Sequence, residues 1–362
     1  MIHLVSVFSN VLGALTSVNV FLHVCFLGVH KKMKLLWTLI ALALAGLNFY
    51  GMRNVFSTPG MALLTVSAVL IGMDLIGLII RIFGKTRVYA FYRKLIRCGF
   101  AFLIAAVYAA YGLINFHIVR KTQYTFENAK VPEALSVGVV SDSHMGNGMD
   151  DEKLLSVIRT VVDDGADVLV LAGDIVDEST DREMFFRFAE GMKSVRAPKG
   201  IYFVFGNHDA SRWGGNLTRL EMETALTLAG VTVLTDESVL LDGWLRICGR
   251  KDANDERATP GELLTGADTE KEFVLLIDHQ PAETEEASKA GADLMVSGHT
   301  HNGQIFPVNV ISALFDFNEI EYGHRKIGDM NACVTSGVAG WSSAFRTAGK
   351  SEYVMINIVS NK

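Results

Sequence analysis

The chain has 362 residues, 50% of them hydrophobic and 20% charged, with a formal net charge of −6. This composition excludes a disordered or low-complexity chain, and the length allows one large domain or two ordinary ones with no need of a disulfide framework. The charge is split: from Met1 to Lys121 twelve basic residues face Asp74 alone, a net +11, while the remainder carries 21 basic and 38 acidic residues, a net −17.

Four stretches of the basic part, 1–30, 35–52, 54–80 and 98–119, lack charge or nearly so. A bilayer core of about 30 Å takes roughly 20 apolar residues of helix. The pattern predicts an all-α region, residues 1–119, with four transmembrane helices at about 5–29, 35–52, 61–80 and 98–118. The first span carries Ser6, Ser9, Asn10, Ser17, Asn19 and His23; it lacks the basic start and small-residue cleavage site of a signal peptide, so it is expected to stay attached. Lys31, Lys32 and Lys34 fill the first loop, Arg53 the second, and Arg81, Lys85, Arg87, Arg93, Lys94 and Arg97 the third loop at 81–97. The positive-inside rule then puts loops one and three in the cytoplasm and everything after the fourth helix outside it, with Arg120 and Lys121 weighing slightly against. Tyr89, Phe91, Tyr92 and Ile96 lie among the third-loop cations, a mix that suits a segment resting on an anionic leaflet; a plain positive-inside loop accounts for the same charges. Asp74 in the third span and His23 in the first lie at similar depth, which predicts a contact between them; a protonated or snorkelling carboxyl is the alternative.

Residues 120–134, with Pro132, read as a linker to a domain at 135–362. There the pattern changes to short apolar runs alternating with amphipathic segments, which argues an α/β domain. Strands are predicted at Ser136–Val140, Val168–Ala172, Ile201–Phe205, Phe273–Ile277 and Leu294–Ser297, and a hairpin at Val239–Ile247 turning at Asp242-Gly243. Helices are predicted at Asp151–Val162, stopped by Gly165, and at 217–229 and 282–290.

Each strand delivers polar residues at its carboxyl end, where ligands gather in open α/β folds. They are Ser141-Asp142-Ser143-His144, Gly173-Asp174-Ile175-Val176-Asp177, Gly206-Asn207-His208-Asp209, Asp278-His279-Gln280 and Gly298-His299-Thr300-His301. His299 and His301 on an extended segment would point to one face. This order of motifs, D-x-H, G-D-x-x-D, G-N-H-D, H and G-H-x-H, resembles the calcineurin-like metallophosphoesterase superfamily over essentially all of 136–360. His279-Gln280-Pro281, Ser297 to Gln304, Leu234-Thr235-Asp236-Glu237 and Ile247-Cys248-Gly249 further resemble the membrane-associated bacterial subgroup of UDP-2,3-diacylglucosamine pyrophosphohydrolases. That subgroup has Gly where this chain has Asn302, a residue that tolerates the same positive φ.

The resemblance implies a four-layer αββα sandwich holding two divalent transition-metal ions. Asp142, His144 and His301 would hold the first; Asn207, His279 and His299 the second; Asp174 would bridge them. Imidazole and oxygen ligands without thiolate suit Mn, Fe or Zn, with Mn favoured by the resemblance. The implied chemistry is attack of a metal-activated hydroxide on phosphorus, with Asn207 helping to neutralise the phosphoryl oxygens, His208 as general acid and Asp177 orienting His208. The expected protein is an integral membrane hydrolase, bacterial by resemblance, with an extracytoplasmic catalytic domain and a phosphorylated lipid or cell-envelope substrate. A phosphodiesterase for soluble nucleotides, or a transporter or sensor with a regulatory phosphoesterase domain, are the alternatives. The net −17 of this half opposes nucleic-acid binding. Trp213, Trp244 and Trp341 read as packing residues, with Trp213 close enough in sequence to line the site mouth. Arg346 reads as a phosphate contact or a surface ion pair, and His324 and Arg325 carry no assignment. Cys25 and Cys98 fall in spans; Cys248 and Cys333 read as buried thiols.

Overall fold

The computed structural model describes residues 2–26, 34–97, 99–209 and 215–361. Lys31, Lys32, Cys98 and Trp213 lie outside the described residues. The chain divides into two compact units, Met1–Asn115 and Phe116–Lys362.

The first unit is helical: α1 (Ile2–Phe26), α2 (Lys34–Gly51), α3 (Thr58–Phe83), α4 (Thr86–Arg97) and α5 (Phe100–His117). Ser57 starts α3 by accepting the Gly60 amide, and Gly84 ends it. By length and composition α3 and α5 are long and apolar enough to cross a membrane. The apolar parts of α1 and α2, Ser9–Cys25 and Thr38–Gly51, are shorter among the described residues, so the structure shows two such helices where four were expected. Several of the polar groups within these helices find one another. Asn48 Nδ2 donates to Thr16 Oγ1 (2.9 Å) and Ser17 Oγ (3.1 Å). The expected His23–Asp74 contact is made, at 3.3 Å, and Asn19 Nδ2 donates to the other Asp74 oxygen at 3.1 Å. The stretch 81–97 is not the loop that its charges suggested. Residues 86–97 form the amphipathic helix α4, in which Tyr89, Tyr92, Arg93 and Ile96 recur at helical spacing and share one face.

The second unit is mixed α/β and contains two six-stranded sheets. In the first, β1 (Val119–Glu127), β12 (Ser351–Val359), β2 (Leu135–Val140), β3 (Val168–Leu171), β4 (Ile201–Phe203) and β5 (Thr232–Val233) lie side by side in that order. In the second the order is β10 (Gly323–Ile327), β11 (Met330–Val334), β9 (Leu294–Ser297), β8 (Phe273–Ile277), β7 (Leu245–Gly249) and β6 (Glu237–Leu241). Strands β2 to β5 run parallel, as do β7, β8, β9 and β11. The stretch assigned as a linker is instead largely β1, an edge strand parallel to β12 with Val119 opposite Ser351 and Glu127 opposite Val359. Its alternating half-buried and exposed residues include Tyr124 and Phe126, which pack on the core between the sheets.

Alternate residues of each strand serve two cores. Val137, Val139, Val168 and Val170 meet Ile247, Leu275, Ile277 and Val296 between the sheets. Leu169, Leu171 and Phe203 face the other way, against α6 (Asp151–Asp163), α7 (Arg182–Met192) and α8 (Arg219–Leu228). Val274, Leu276 and Met295 pack outward with Ala287 of α10 (Thr284–Ala290). Helix α7 carries Phe185 and Phe188 into that core and was not anticipated. The parallel strands of both sheets end on the polar motifs, and this fixes where the site is built.

Candidate metal centre

The loops after β2, β3 and β4 bring in Asp142, His144, Asp174, Asn207 and His208; those after β8 and β9 bring in His279, His299 and His301. Two groups of ligand atoms form, each within 4.8 Å: Asp142, His144 and His301, and Asp174, His279 and His299. His144 Nε2 and His301 Nε2 face each other at 3.2 Å, and His301 Nε2 is 3.5 Å from Asp142 Oδ1. In the second group His279 Nε2 is 3.1 Å from Asp174 Oδ2, and Asn207 Oδ1 lies 3.2 Å from His279 Nε2 and 2.8 Å from His299 Nδ1. Asp174 also reaches the first group, with Oδ2 3.7 Å from His144 Nε2.

Holding these groups together requires unusual backbone. Asp142, His144, Asp174, His299 and His301 all have positive φ, between 38° and 70°. Left-handed conformations in residues other than Gly cost roughly 1–3 kcal/mol and persist where surroundings impose them. The His299–His301 segment is therefore a turn and not the extended run expected, and its two imidazoles go to different groups. Asn302 takes φ 50° and ψ 40°, the conformation for which Asn substitutes best for Gly. Gly206 and Gly298 leave room for the carboxylates: a Cβ on Gly206 would stand 2.2 Å from Asp174 Oδ1, and one on Gly298 2.3 Å from Asp142 Oδ2.

The neighbours orient the ligands. His279 Nδ1 donates to the Ala172 carbonyl at 2.8 Å, which turns Nε2 toward the Asp174 carboxylate and the Asn207 side-chain oxygen. Asp142 accepts from Ser141 Oγ (2.6 Å) and the His299 amide (3.0 Å). Asp209 accepts the amides of Asp174 (2.7 Å), Ile175 (3.0 Å), Val176 (3.1 Å) and Gly206 (2.8 Å), tying the β3 loop to the β4 loop. Burial and the nearby Asp174 charge push the Asp209 carboxyl up to about 7, with the amide donors opposing.

Burial holds His144 and His299 at about 4 and keeps His301 well below the usual imidazole range, so these rings are neutral with lone pairs to offer. Burial opposes ionisation of Asp174, but His279 beside it outweighs burial and holds the group ionised. The Nδ1 atoms of His144 and His301 are buried without a hydrogen-bond partner. Neutral imidazoles facing each other beside buried carboxylates, with a side-chain amide oxygen in reach, fit two divalent cations of the Mn, Fe or Zn type.

His208 stands at the edge. Its amide donates to Asp174 Oδ1 (2.7 Å), its ring is 5.1 Å from that of His144, and Trp341 lies over it at 5.6 Å between centroids. Its partner is Glu178, not Asp177: His208 Nδ1 is 2.9 Å from Glu178 Oε1. Burial lowers the affinity of His208 for a proton, but the Glu178 and Asp174 carboxylates reverse that and raise its pKa. Asp177 turns the other way. It accepts from Ser179 (2.8 Å from the amide) and Asn147, and its Oδ2 is 3.7 Å from His144 Nδ1, behind the first group. Adjacent residues in a turn point apart, which an offset counted along the sequence does not reveal.

Further residues were not legible beforehand. Arg250 is buried and donates to Asp278 (2.9 Å), which Arg257 also grips at 3.0 Å, so the residue before His279 is clamped from both sides. Gln280 donates to Asp252 at 2.8 Å. Arg346 is neither a phosphate contact nor a surface ion pair. It is buried and donates to the carbonyls of His301 (2.9 Å), Ser336 (2.9 Å) and Ala339. Trp244 lies under Lys199, His324 bonds Asn331, and Arg325 bonds the Glu319 carbonyl.

A sequence model of the calcineurin-like phosphoesterase family matches residues 135–303, which contain every ligand named above. The chain carries a calcineurin-like phosphoesterase domain. Curated relatives agree with that assignment. An uncharacterized metallophosphoesterase of Aquifex aeolicus is 29% identical over 70% of this chain and 97% of its own length. A transmembrane protein with metallophosphoesterase domain from Danio rerio is 30% identical over 71% of this chain, which spans 61% of that protein. Among solved structures, a dimetal phosphatase from Danio rerio covers 56% of this chain and 87% of its own at 12% identity and a TM-score of 0.36. The phosphoesterase domain makes the protein a metal-dependent phosphoester hydrolase, and the histidine and carboxylate groups are the candidate ligands for that metal.

Proposed function

We propose that the protein is a membrane-anchored hydrolase of a phosphoester or pyrophosphate bond in a lipid-linked or cell-envelope substrate. The observation that carries the reading is the pair of ligand groups joined at Asp174, with His208 beside them. Support for the anchor is the pair of helices α3 and α5, each long and apolar enough to span a bilayer, and the transmembrane description of the Danio rerio relative. A lipid substrate follows from such an anchor, because the head groups of the same bilayer are the phosphates at highest local concentration. If the anchor has the four spans expected from the sequence, the positive-inside count favours an extracytoplasmic catalytic unit.

Asp142, His144 and His301 would hold one divalent ion, Asn207, His279 and His299 the second, with Asp174 between them. Two such ions supply Lewis acidity at the phosphoryl oxygens and a nucleophilic water near neutral pH, and Mn is the favoured metal. The residues of the chain do the rest. Glu178 engages His208 Nδ1 and so leaves Nε2 for the leaving oxygen; its charge favours the protonated ring that a general acid requires. Trp341 covers one side of that ring and limits its access to water. Asp177 backs His144, and Asp209 fixes the loop on which Asp174 sits.

The test is a substrate panel with the full chain in detergent and Mn present: a lipid pyrophosphate, a lipid phosphodiester and a cyclic nucleotide. The reading expects kcat/KM for one of the lipids to exceed that for the nucleotide at least tenfold. The reverse order would replace it with a soluble-nucleotide phosphodiesterase.

A further inference from the structure

A cavity of about 320 Å³ opens in the helical unit between α1, α3 and α4, far in sequence from any metal-ligand motif. Leu22 and His23 of α1, Asp74, Gly77 and Arg81 of α3, and Tyr89, Tyr92 and Arg93 of α4 line it. Helix α4 is held against α3 by Tyr92, whose hydroxyl donates to the Met73 carbonyl and whose ring lies where a Cβ on Gly77 would come within 2.8 Å. Gly77 therefore lets the basic helix approach closely enough to form one wall.

The charges in this cavity do not balance. Asp74 is the single carboxylate among residues 1–121, and both its oxygens are taken, by His23 Nε2 (3.3 Å) and Asn19 Nδ2 (3.1 Å). It lies seven residues, about two helical turns or roughly 10 Å, from Arg81 along α3. Among the described residues no carboxylate is within ion-pair distance of Arg81 or Arg93. Both residues are exposed, Arg81 in the last turn of α3 and Arg93 within α4, where Tyr89 adds a phenol beside Arg93 (5.9 Å from ring centroid to guanidinium carbon). Next to the cavity α3 is a run of exposed Leu75, Ile76, Leu78 and Ile79, a surface suited to acyl chains. Two unneutralised planar cations beside an apolar helix match a phosphate anion that carries hydrocarbon.

We propose that this cavity binds the phosphate headgroup of an anionic phospholipid, with Arg81 and Arg93 as its paired ligands. The site is separate from the metal centre and stands whatever substrate the phosphoesterase domain takes. The test is native mass spectrometry of the full chain in detergent, titrated with dioleoyl phosphatidic acid, with dioleoyl phosphatidylcholine and with inorganic phosphate. One saturable phosphatidic acid site is expected, and R81A/R93A should weaken it about twenty-five-fold, at about fivefold per cation. R81K/R93K should recover most of the binding, and R87A/K94A, which removes two α4 cations that do not line the cavity, should leave it within about twofold. Helical circular dichroism and a monodisperse elution profile identify a variant that has failed to fold, in which case R81Q/R93Q, which removes both charges and keeps most of the side-chain bulk, takes its place and should show the same loss against R87A/K94A. Equal loss in R87A/K94A and R81A/R93A would overturn the proposal in favour of diffuse surface charge. Equal affinity for phosphatidylcholine, or saturation by inorganic phosphate at the same concentration as the lipid, would overturn it as well.

Discussion

Replacing Gly206 with alanine perturbs the centre without removing any functional group. The added Cβ would stand 2.2 Å from Asp174 Oδ1 and 2.6 Å from the Asp174 amide nitrogen. Gly206 does not have a left-handed backbone, so alanine's own conformation is not at issue, and the whole effect falls on the carboxylate placed between the two ligand groups. Van der Waals separation requires Asp174 to withdraw by roughly 1 Å. A shift of that size at a reacting centre costs about 100-fold in turnover, and the overpacking costs about 1–3 kcal/mol of stability. G261A is the control, because nothing lies within 4 Å of its new Cβ in the short helix α9 (Pro260–Leu263). The assay is hydrolysis of bis-p-nitrophenyl phosphate across a Mn titration, with bound metal counted by inductively coupled plasma mass spectrometry. G206A should need far more Mn for a much lower plateau, while G261A follows the parent. A G206A protein with two ions bound and undiminished kcat would refute the role given to Asp174.

Four other outcomes follow from the same geometry. E178Q should lower kcat about tenfold with KM nearly unchanged, since it removes the charge beside His208 and leaves the metal ligands in place, whereas D177N should weaken metal retention through His144; steady-state kinetics and metal counting separate the two. R346M should lose roughly 3 kcal/mol in thermal unfolding, because three buried carbonyls lose their donor. Glu319 accepts the Glu283 and Thr284 amides and the Thr284 hydroxyl; burial raises its pKa, these donors outweigh burial, and the folded value lies below 4.5. A depressed carboxyl stabilises the fold above its unfolded pKa and ceases to do so as pH falls through the folded one, so E319Q should show a smaller drop in thermal midpoint between pH 6 and pH 3 than the parent. Cys248 and Cys333 are pushed up to about 12 by burial, so in a C25S/C98S background dithionitrobenzoate at pH 8 should label neither until the protein is unfolded.

The residues that gather into the two candidate groups could be picked out from the chain because each follows closely on a short, largely buried parallel strand. In such strands the apolar run and its polar end are adjacent in sequence, and β3 (Val168–Leu171) leading to Asp174 shows this plainly. Strand β1 escaped notice for the opposite reason. Val119-Arg120-Lys121-Thr122-Gln123 reads as polar linker, and its pairing partner β12 lies more than 200 residues away. Helix α4 was hidden by its own charge density, since Arg87, Arg93, Lys94 and Arg97 fall among the twelve residues that also carry the Tyr89, Tyr92 and Ile96 face. Arg346 could not have been read at all: a buried guanidinium satisfied by three carbonyls has the same letter as one in solvent. The choice between Asp177 and Glu178 turned on the direction of two neighbouring side chains, which depends on backbone dihedrals and not on spacing.

The amide of His299, from the second sheet, donates to Asp142 of the first, and His279 Nδ1 reaches back to the Ala172 carbonyl across the same gap. The centre is thus a clasp that closes one end of the sandwich. Whatever fills it holds the two sheets together there, so occupancy at a hundred times the dissociation constant would add about 2.7 kcal/mol to the stability of the fold. Metal supply would then contribute to how much of the chain stays folded, independently of any turnover.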